Sequence, residues 1–196
     1  MTERVVLATH NAHKVAEFQA IVSRVRPDLE VVAYDGPEPV EDGTTFEANA
    51  LIKARAAAAH TGLPALADDS GISVDVLGGA PGVFSAYWAG HRKDDAANLE
   101  LLLDQLSDLA RPEDRGAHYT SVIALVTPEG SERTVTGIWP GTLATAPRGS
   151  GGFGYDPVFV PEGETRSVAE LTADEKNAVS HRARAFEALV PLLSDL

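Results

Sequence analysis

The sequence predicts an α/β fold built on a mixed β-sheet. Short apolar runs alternate with helical apolar spacing through the first half of the chain, the pattern of strand–helix units in which strands pair in parallel. Two longer β-type runs, joined by Thr127-Pro128-Glu129-Gly130-Ser131, then read as a hairpin, which brings antiparallel pairing into the same sheet. The length of 196 residues, 44% hydrophobic and 23% charged, suits one domain with a sizeable core, so residues 1–196 are read as a single domain. There is no internal repeat and no long linker.

Taken in order, Arg4 to Thr9 forms a buried opening strand. Beyond His10-Asn11, Val15, Phe18, Val22 and Val25 recur at three- and four-residue steps, a helix that Pro27 stops. Leu29 to Tyr34 is a second strand, and a polar, Pro-rich loop carrying Glu38, Glu41 and Asp42 follows. Thr44-Thr45-Phe46-Glu47 has the Thr-x-x-Glu form of a capping box, and the Ala-rich helix beyond it runs to about His60, closed by Gly62 and Pro64. Leu63 to Ala67 is a strand that ends on Asp68-Asp69. Asp94 to Leu106 is a helix with Leu99, Leu102, Leu103 and Leu106 on one face. The hairpin strands cover Ala117 to Val126 and Glu132 to Ile138, Val158 to Val160 forms another strand, and a last helix ends near Leu193. Its core stripe is Ala183, Phe186, Val190 and Leu193.

Composition excludes several functions. With no cysteine, disulfides, thiolate nucleophiles and zinc–thiolate sites are ruled out. A formal charge of −13 argues against gripping nucleic acid through its phosphates, while leaving room for a small phosphorylated ligand held by local cations. No apolar stretch approaches the length of a membrane span, and the N-terminus lacks the basic and apolar regions of a signal peptide. The cytoplasm is therefore the expected compartment.

Four segments carry chemistry. In Thr9-His10-Asn11-Ala12-His13-Lys14 a strand end passes into a helix whose first turn bears a lysine. Free N–H groups and the positive dipole end suit a phosphate, which would also explain a cation there; alternatively, Asn11 is only a cap and Lys14 is solvated. Asp68 and Asp69 close an apolar strand. Asp69, with Glu41 from the loop, would suit magnesium, which takes one or two carboxylates and completes its shell with water and phosphate. Against this stands a turn-forming role for the two aspartates. Side chains alternate along a strand, so only one of the pair is expected in the site. Gly151-Gly152-Phe153-Gly154-Tyr155-Asp156 pairs permissive backbone with aromatics fit to stack on a base, or else to fill a core. In Thr172 to Arg184, Thr172-x-x-Glu175 resembles a capping box, and Lys176, His181 and Arg182 converge only if the helix breaks at Ser180. His10, His13, His60, His91 and His118 are expected to do no catalysis.

Taken together, these segments resemble the inosine triphosphate pyrophosphatase family. The matching residues are Thr9-x-Asn11-x-x-Lys14, Glu41, Thr45-Phe46-x-x-Asn49-Ala50-x-x-Lys53-Ala54, Asp68-Asp69-Ser70-Gly71, Leu77-Gly78-Gly79-Ala80-Pro81-Gly82, Gly151 to Pro157, and Glu175-Lys176-x-Ala178-x-Ser180-His181-Arg182. The resemblance implies an elongated mixed sheet in two lobes with the active-site cleft between them, a homodimer, and magnesium-dependent hydrolysis of inosine, deoxyinosine and xanthosine triphosphates to monophosphate and pyrophosphate. It implies that Thr9, Asn11, Lys14 and Lys53 face the phosphates. Glu41 and Asp69 would serve the metal, with Asp69 the general base. Ser70, Phe153, Gly154, Tyr155, Asp156, Lys176, His181 and Arg182 would hold the nucleotide and its base. His10 departs from the family, where many members have glycine. Two rivals remain: a pyrophosphatase for modified pyrimidine or methylated nucleotides, and a sensor that binds a triphosphate without cutting it.

Overall fold

The computed structural model describes residues 3–194. Six strands form one sheet in the order β2-β1-β3-β4-β5-β6. They are β1 Glu3–Leu7, β2 Leu29–Ala33, β3 Ala65–Val74, β4 Gly116–Val126, β5 Glu132–Leu143 and β6 Phe159–Pro161. β1 pairs in parallel with β2 and β3, in registers that set Val5 beside Val31 and Val6 beside Ala65. β5 and β6 are antiparallel, with Thr142 beside Val160, so the sheet is mixed as expected. The helices are α1 Ala12–Val22, α2 Phe46–Thr61, α3 Asp95–Gln105, α4 Ala173–Val179 and α5 His181–Leu193. Among the described residues no helix is long and apolar enough to cross a membrane.

The chain divides into two compact units. The residues up to Asp69, Ser121–Gly137 and the chain from Arg184 onward form the first; Ser70–Thr120 and Ile138–Ala183 form the second.

Strand alternation sorts the core of the first unit into two layers. Val5, Leu7, Leu66, Ile123 and Leu125 pack with Phe18 and Val22 of α1 and with Ala185, Phe186, Leu189 and Leu193 of α5. The intervening residues Val6, Ala65, Ala67, Val122 and Ala124 meet Ala50, Ala54, Ala57 and Ala58 of α2. A helix faced with alanine lets the backbone lie close to the sheet. α2 starts at the N-cap Thr45, whose side chain accepts from the Ala48 N–H, and stops at Gly62, where φ of 67° favours glycine. The second unit has its own core, which includes Ile72, Val74, Leu102, Leu106, Tyr119, Trp139 and Phe159.

Five expectations about elements are corrected. α1 ends at Val22, and Val25, 40% exposed, lies in the turn beyond it. The cap of α2 is Thr45 and not Thr44, and Glu47 accepts a hydrogen bond from Thr134 instead of closing a box. β3 does not stop at the aspartates; Ile72 and Val74, both fully buried, resume the period-two pattern and carry the strand to Val74. β5 continues past Ile138 through Pro140, whose carbonyl accepts from the Glu162 N–H. In α5 the buried face is Ala185, Phe186, Leu189 and Leu193, a stripe that Ala183 and Val190 only border.

Candidate active site

In the first unit, the strand ends and helix starts assemble a charged pocket. Thr9 Oγ1 accepts from the Asn11 N–H at 3.2 Å, and Asn11 Oδ1 accepts from the Lys14 N–H at 3.4 Å, so Asn11 does cap α1. Lys14 Nζ donates to both oxygens of Asp68, at 3.1 Å each. Lys53, from α2, lies 2.9 Å from Glu41 Oε2 and 3.2 Å from Asp69 Oδ1. A pocket of ≈ 170 Å³ is lined by Thr9, His10, Lys14, Glu41, Lys53 and Asp68 among others. That volume suits a phosphate tail better than a whole nucleotide.

One aspartate of the pair lines the pocket, as alternation leads one to expect, and it is Asp68 and not Asp69. Asp68 follows Leu66 toward the α1 layer and meets Lys14, whereas Asp69 follows Ala67 toward the α2 layer and meets Lys53. Each layer supplies its own lysine at this level of β3. The pocket wall is formed by Asp68, and Asp69 reaches it through Lys53. With both carboxylates inside a continuous strand, the turn-forming alternative is excluded.

Electrostatics show a deficit of positive charge. Burial raises the Asp69 carboxyl above the usual carboxylate range; Lys53 pulls it down, Glu41 pushes it up, and a hydrogen bond from Asn49 helps the anion. Burial disfavours the Lys53 ammonium, yet the charges of Asp69, Glu41 and Asp68 outweigh burial and raise its pKa. The two directions look contradictory for one ion pair. They agree once the partners are counted: Lys53 answers to several carboxylates, and Asp69 shares its one lysine with Glu41. Oxygen donors with surplus negative charge fit a hard divalent cation such as magnesium. Among the described residues no group of three or more His, Cys, Asp or Glu could hold a metal, so such an ion would take its remaining ligands from water and phosphate.

The second unit gathers the remaining candidates. Asp156, buried, accepts from the Phe153 N–H at 2.9 Å, from Lys176 Nζ at 2.6 Å and from the Tyr119 hydroxyl at 3.4 Å. Burial, and next the nearby Asp156, hold the Tyr119 hydroxyl protonated far above its ordinary range. Gly152, at φ 69°, has Asp156 where a side chain would start, so this loop requires glycine. Tyr155 is buried and its hydroxyl donates to Ser85 O at 2.8 Å, while the Gly154 N–H donates to Asp95 Oδ2 at 3.1 Å. Phe153 is left 59% exposed, with Lys176 Nζ 4.6 Å and Arg182 Cζ 5.6 Å from its ring centre.

The break foreseen at Ser180 is present. Thr172 and Glu175 form the capping box of α4, Ser180 ends that helix in extended backbone, and its Oγ accepts from the Ala183 N–H of α5. Lys176 and Arg182 thereby reach the same ring, and Arg182 Nη2 also donates to Ser70 Oγ at 3.2 Å. His181 is 5% exposed; it stacks on Tyr119 at 4.8 Å and faces Trp139 at 6.4 Å.

Asn49, part of the Thr45-Phe46-x-x-Asn49 motif, is a site residue that its place in the motif alone does not reveal. This buried residue accepts from the Gly43 N–H at 2.9 Å and hydrogen-bonds Asp69, tying the Glu41 loop to the strand. A polar residue on an otherwise alanine-lined helix face was the available signal. Asp95 was likewise read only as part of a helix start.

Comparison with known proteins supplies the deciding observation: residues 5–192 match the Ham1 family. The chain belongs to the Ham1 family. It is similar to the dITP/XTP pyrophosphatases of Leifsonia xyli subsp. xyli, at 62% identity over 98% of this chain and 96% of the relative, and of Streptomyces coelicolor, at 56% over 98% of each. Among solved structures, the HAM1 protein of Coxiella burnetii superposes with a TM-score of 0.91 at 41% identity, covering 99% of this chain and 100% of that one. The Ham1 protein of Staphylococcus aureus gives 0.90 at 35% identity, covering 98% and 99%. The Ham1 fold thus agrees with the α/β class expected from the sequence.

Proposed function

We propose that this Ham1 protein hydrolyses non-standard purine nucleoside triphosphates, dITP, ITP, XTP and dXTP, to the monophosphate and pyrophosphate with magnesium. The observation that carries the reading is the convergence of Glu41 and Asp69 on one lysine beside a phosphate-sized pocket. Its relatives named dITP/XTP pyrophosphatase give the substrate class.

Glu41 and Asp69 would hold the ion, which when bound supplies Lewis-acid charge to phosphate oxygens. Asp69 accepts the proton of the attacking water as its oxygen bonds to the α-phosphorus. The bond from that phosphorus to the bridging oxygen breaks, and pyrophosphate leaves with the electron pair. Lys14 and Lys53 exchange their carboxylate partners for the oxygens of the tail, offsetting charge as it spreads. The open face of Phe153 offers a stacking surface for a base, and Arg182 and Lys176 beside it are donors without acceptors of their own to offer. An oxygen at purine position 6 satisfies such donors, whereas the amino group of adenine leaves them unpaired.

The test is a screen of deaminated and ordinary triphosphates with magnesium and product analysis by anion exchange. Monophosphate plus pyrophosphate from dITP and XTP, at least about a hundredfold faster than from dATP, is expected; orthophosphate release or no turnover overturns the proposal. Asp69→Asn should lower turnover by roughly a hundredfold or more while dITP still binds in a filter or calorimetric assay. The family resemblance also implies a cytoplasmic homodimer, which sedimentation equilibrium of the pure protein tests for its dimeric part.

A further inference from the structure

The geometry assigns His10 the role of a positioning residue that anchors the loop carrying Glu41. This inference rests on the proposed function for the purpose Glu41 serves, and on the observed contacts for everything else.

Residues 36–45 have no helix or strand to hold them. Glu41 sits in the middle of this stretch, and its place relative to Lys53 depends on how the two ends are tied. On the C-terminal side the tie is the Asn49 side chain, which takes the Gly43 N–H at 2.9 Å. On the N-terminal side it is an array centred on His10. Nε2 lies 3.0 Å from the Gly36 carbonyl and Nδ1 lies 3.1 Å from Glu38 Oε1. The ring stacks on Tyr34, with centroids 5.8 Å apart and planes within 4°, and the Tyr34 hydroxyl donates to Pro37 O at 2.9 Å. Three consecutive loop residues are thus fixed to a buried aromatic and one imidazole.

Both partners of the imidazole are acceptors. A carbonyl oxygen never donates, so the contact with Gly36 uses an Nε2 hydrogen. A glycine at position 10 would make neither contact. Gly36 completes the fit, because a side chain there would run into the Tyr34 ring. His10 also lines the pocket, next to Thr9. It therefore links the start of the phosphate-binding segment to the loop that brings the distant carboxylate. The bulky side chain is turned toward the loop.

The experiment compares the wild-type protein with His10→Gly, His10→Gln, Glu38→Gln and the His10→Gly/Glu38→Gln pair. Two readouts are taken: the magnesium concentration giving half-maximal dITP hydrolysis, and binding of Mn²⁺ in the presence of inorganic pyrophosphate, followed by electron paramagnetic resonance without turnover. His10→Gly should raise the half-saturating magnesium and weaken Mn²⁺ binding by about tenfold, the scale on which residues supporting a metal ligand act. The KM for dITP at saturating magnesium should change by no more than about twofold. His10→Gln keeps an N–H for Gly36 O and should recover part of the loss. Glu38→Gln should shift metal use in the same direction by less, and the paired variant should fall short of the product of the singles. Circular dichroism checks folding, and Glu38→Gln stands in if His10→Gly does not fold. Wild-type metal dependence and Mn²⁺ binding in a folded His10→Gly, or a raised KM with metal dependence unchanged, overturns the inference. Absence of dITP hydrolysis by the wild-type protein would instead sink the proposed function, with the Mn²⁺ comparison still deciding the role of His10.

Discussion

Lys53 is held between Glu41 and Asp69, so removing its charge exposes what it offsets. In Lys53→Met, Asp69 keeps the burial and the Glu41 repulsion that raise its pKa and loses the attraction that lowers it. Its titration midpoint in the metal-free protein should move upward, measurable by the ¹³C shift of its carboxyl carbon; a downward move would contradict the assignment. The sign for stability follows from the same direction. A carboxyl raised in the folded state binds protons more readily there than when unfolded. The Asp69 contribution therefore favours folding at pH below its unfolded value and declines as pH rises toward the folded one. Lys53 follows the same sign at the alkaline end: its raised pKa adds stability below its unfolded value, lost as pH climbs through the folded one. With its pKa raised by burial, Asp69 costs stability wherever it is ionised.

Among the elements, α3 and the ends of β4 and β5 meet at Arg115, which is 2% exposed. Its guanidinium donates to the carbonyls of Leu106, Leu109, Leu143 and Ala144, so the end of α3 and the end of β5 share one cation. Burial lowers the pKa of this side chain, and the four acceptors, which include the last turn of a helix, compensate. Arg115→Met should destabilise the protein by roughly 3 kcal/mol, since buried carbonyls are left unsatisfied, and urea unfolding measures it. At the other end of the scale, Thr45→Ala should cost about 1 kcal/mol by losing the cap of α2. Local signals made such caps and periodic helices legible in advance: the Thr172 box, the Asp94 start of α3 and the Ser180 break all follow from side chains within a few positions. What escaped was long-range. The course of β3 through two aspartates depends on lysines from α1 and α2, residues 54 and 16 positions away. Arg115, an arginine in no motif, is held where it is buried by four carbonyls, two of them 28 and 29 positions away. Likewise the Thr9-x-Asn11-x-x-Lys14 segment is readable as a motif, while the anchoring of Asp69 by Asn49 and the contacts of His10 with the Glu41 loop require the fold.

For the molecule as a whole, β3, β4 and β5 each contribute residues to both compact units. Neither unit owns a complete set of strands, so thermal unfolding should be a single transition whose calorimetric and van't Hoff enthalpies agree. Two resolved transitions would show the units to be independent. The net charge of −13 bears on partners at this scale. Labelled duplex DNA should show no anisotropy change with the protein at physiological salt, because favourable local lysines number too few against the surrounding field. One buried indole gives the molecule an optical property. Trp139 is 3% exposed, edge-on to Phe159 and facing His181. Its emission should be blue-shifted and shielded from iodide, so in a Trp88→Phe variant events around His181 can be followed by intrinsic fluorescence, with no dye attached.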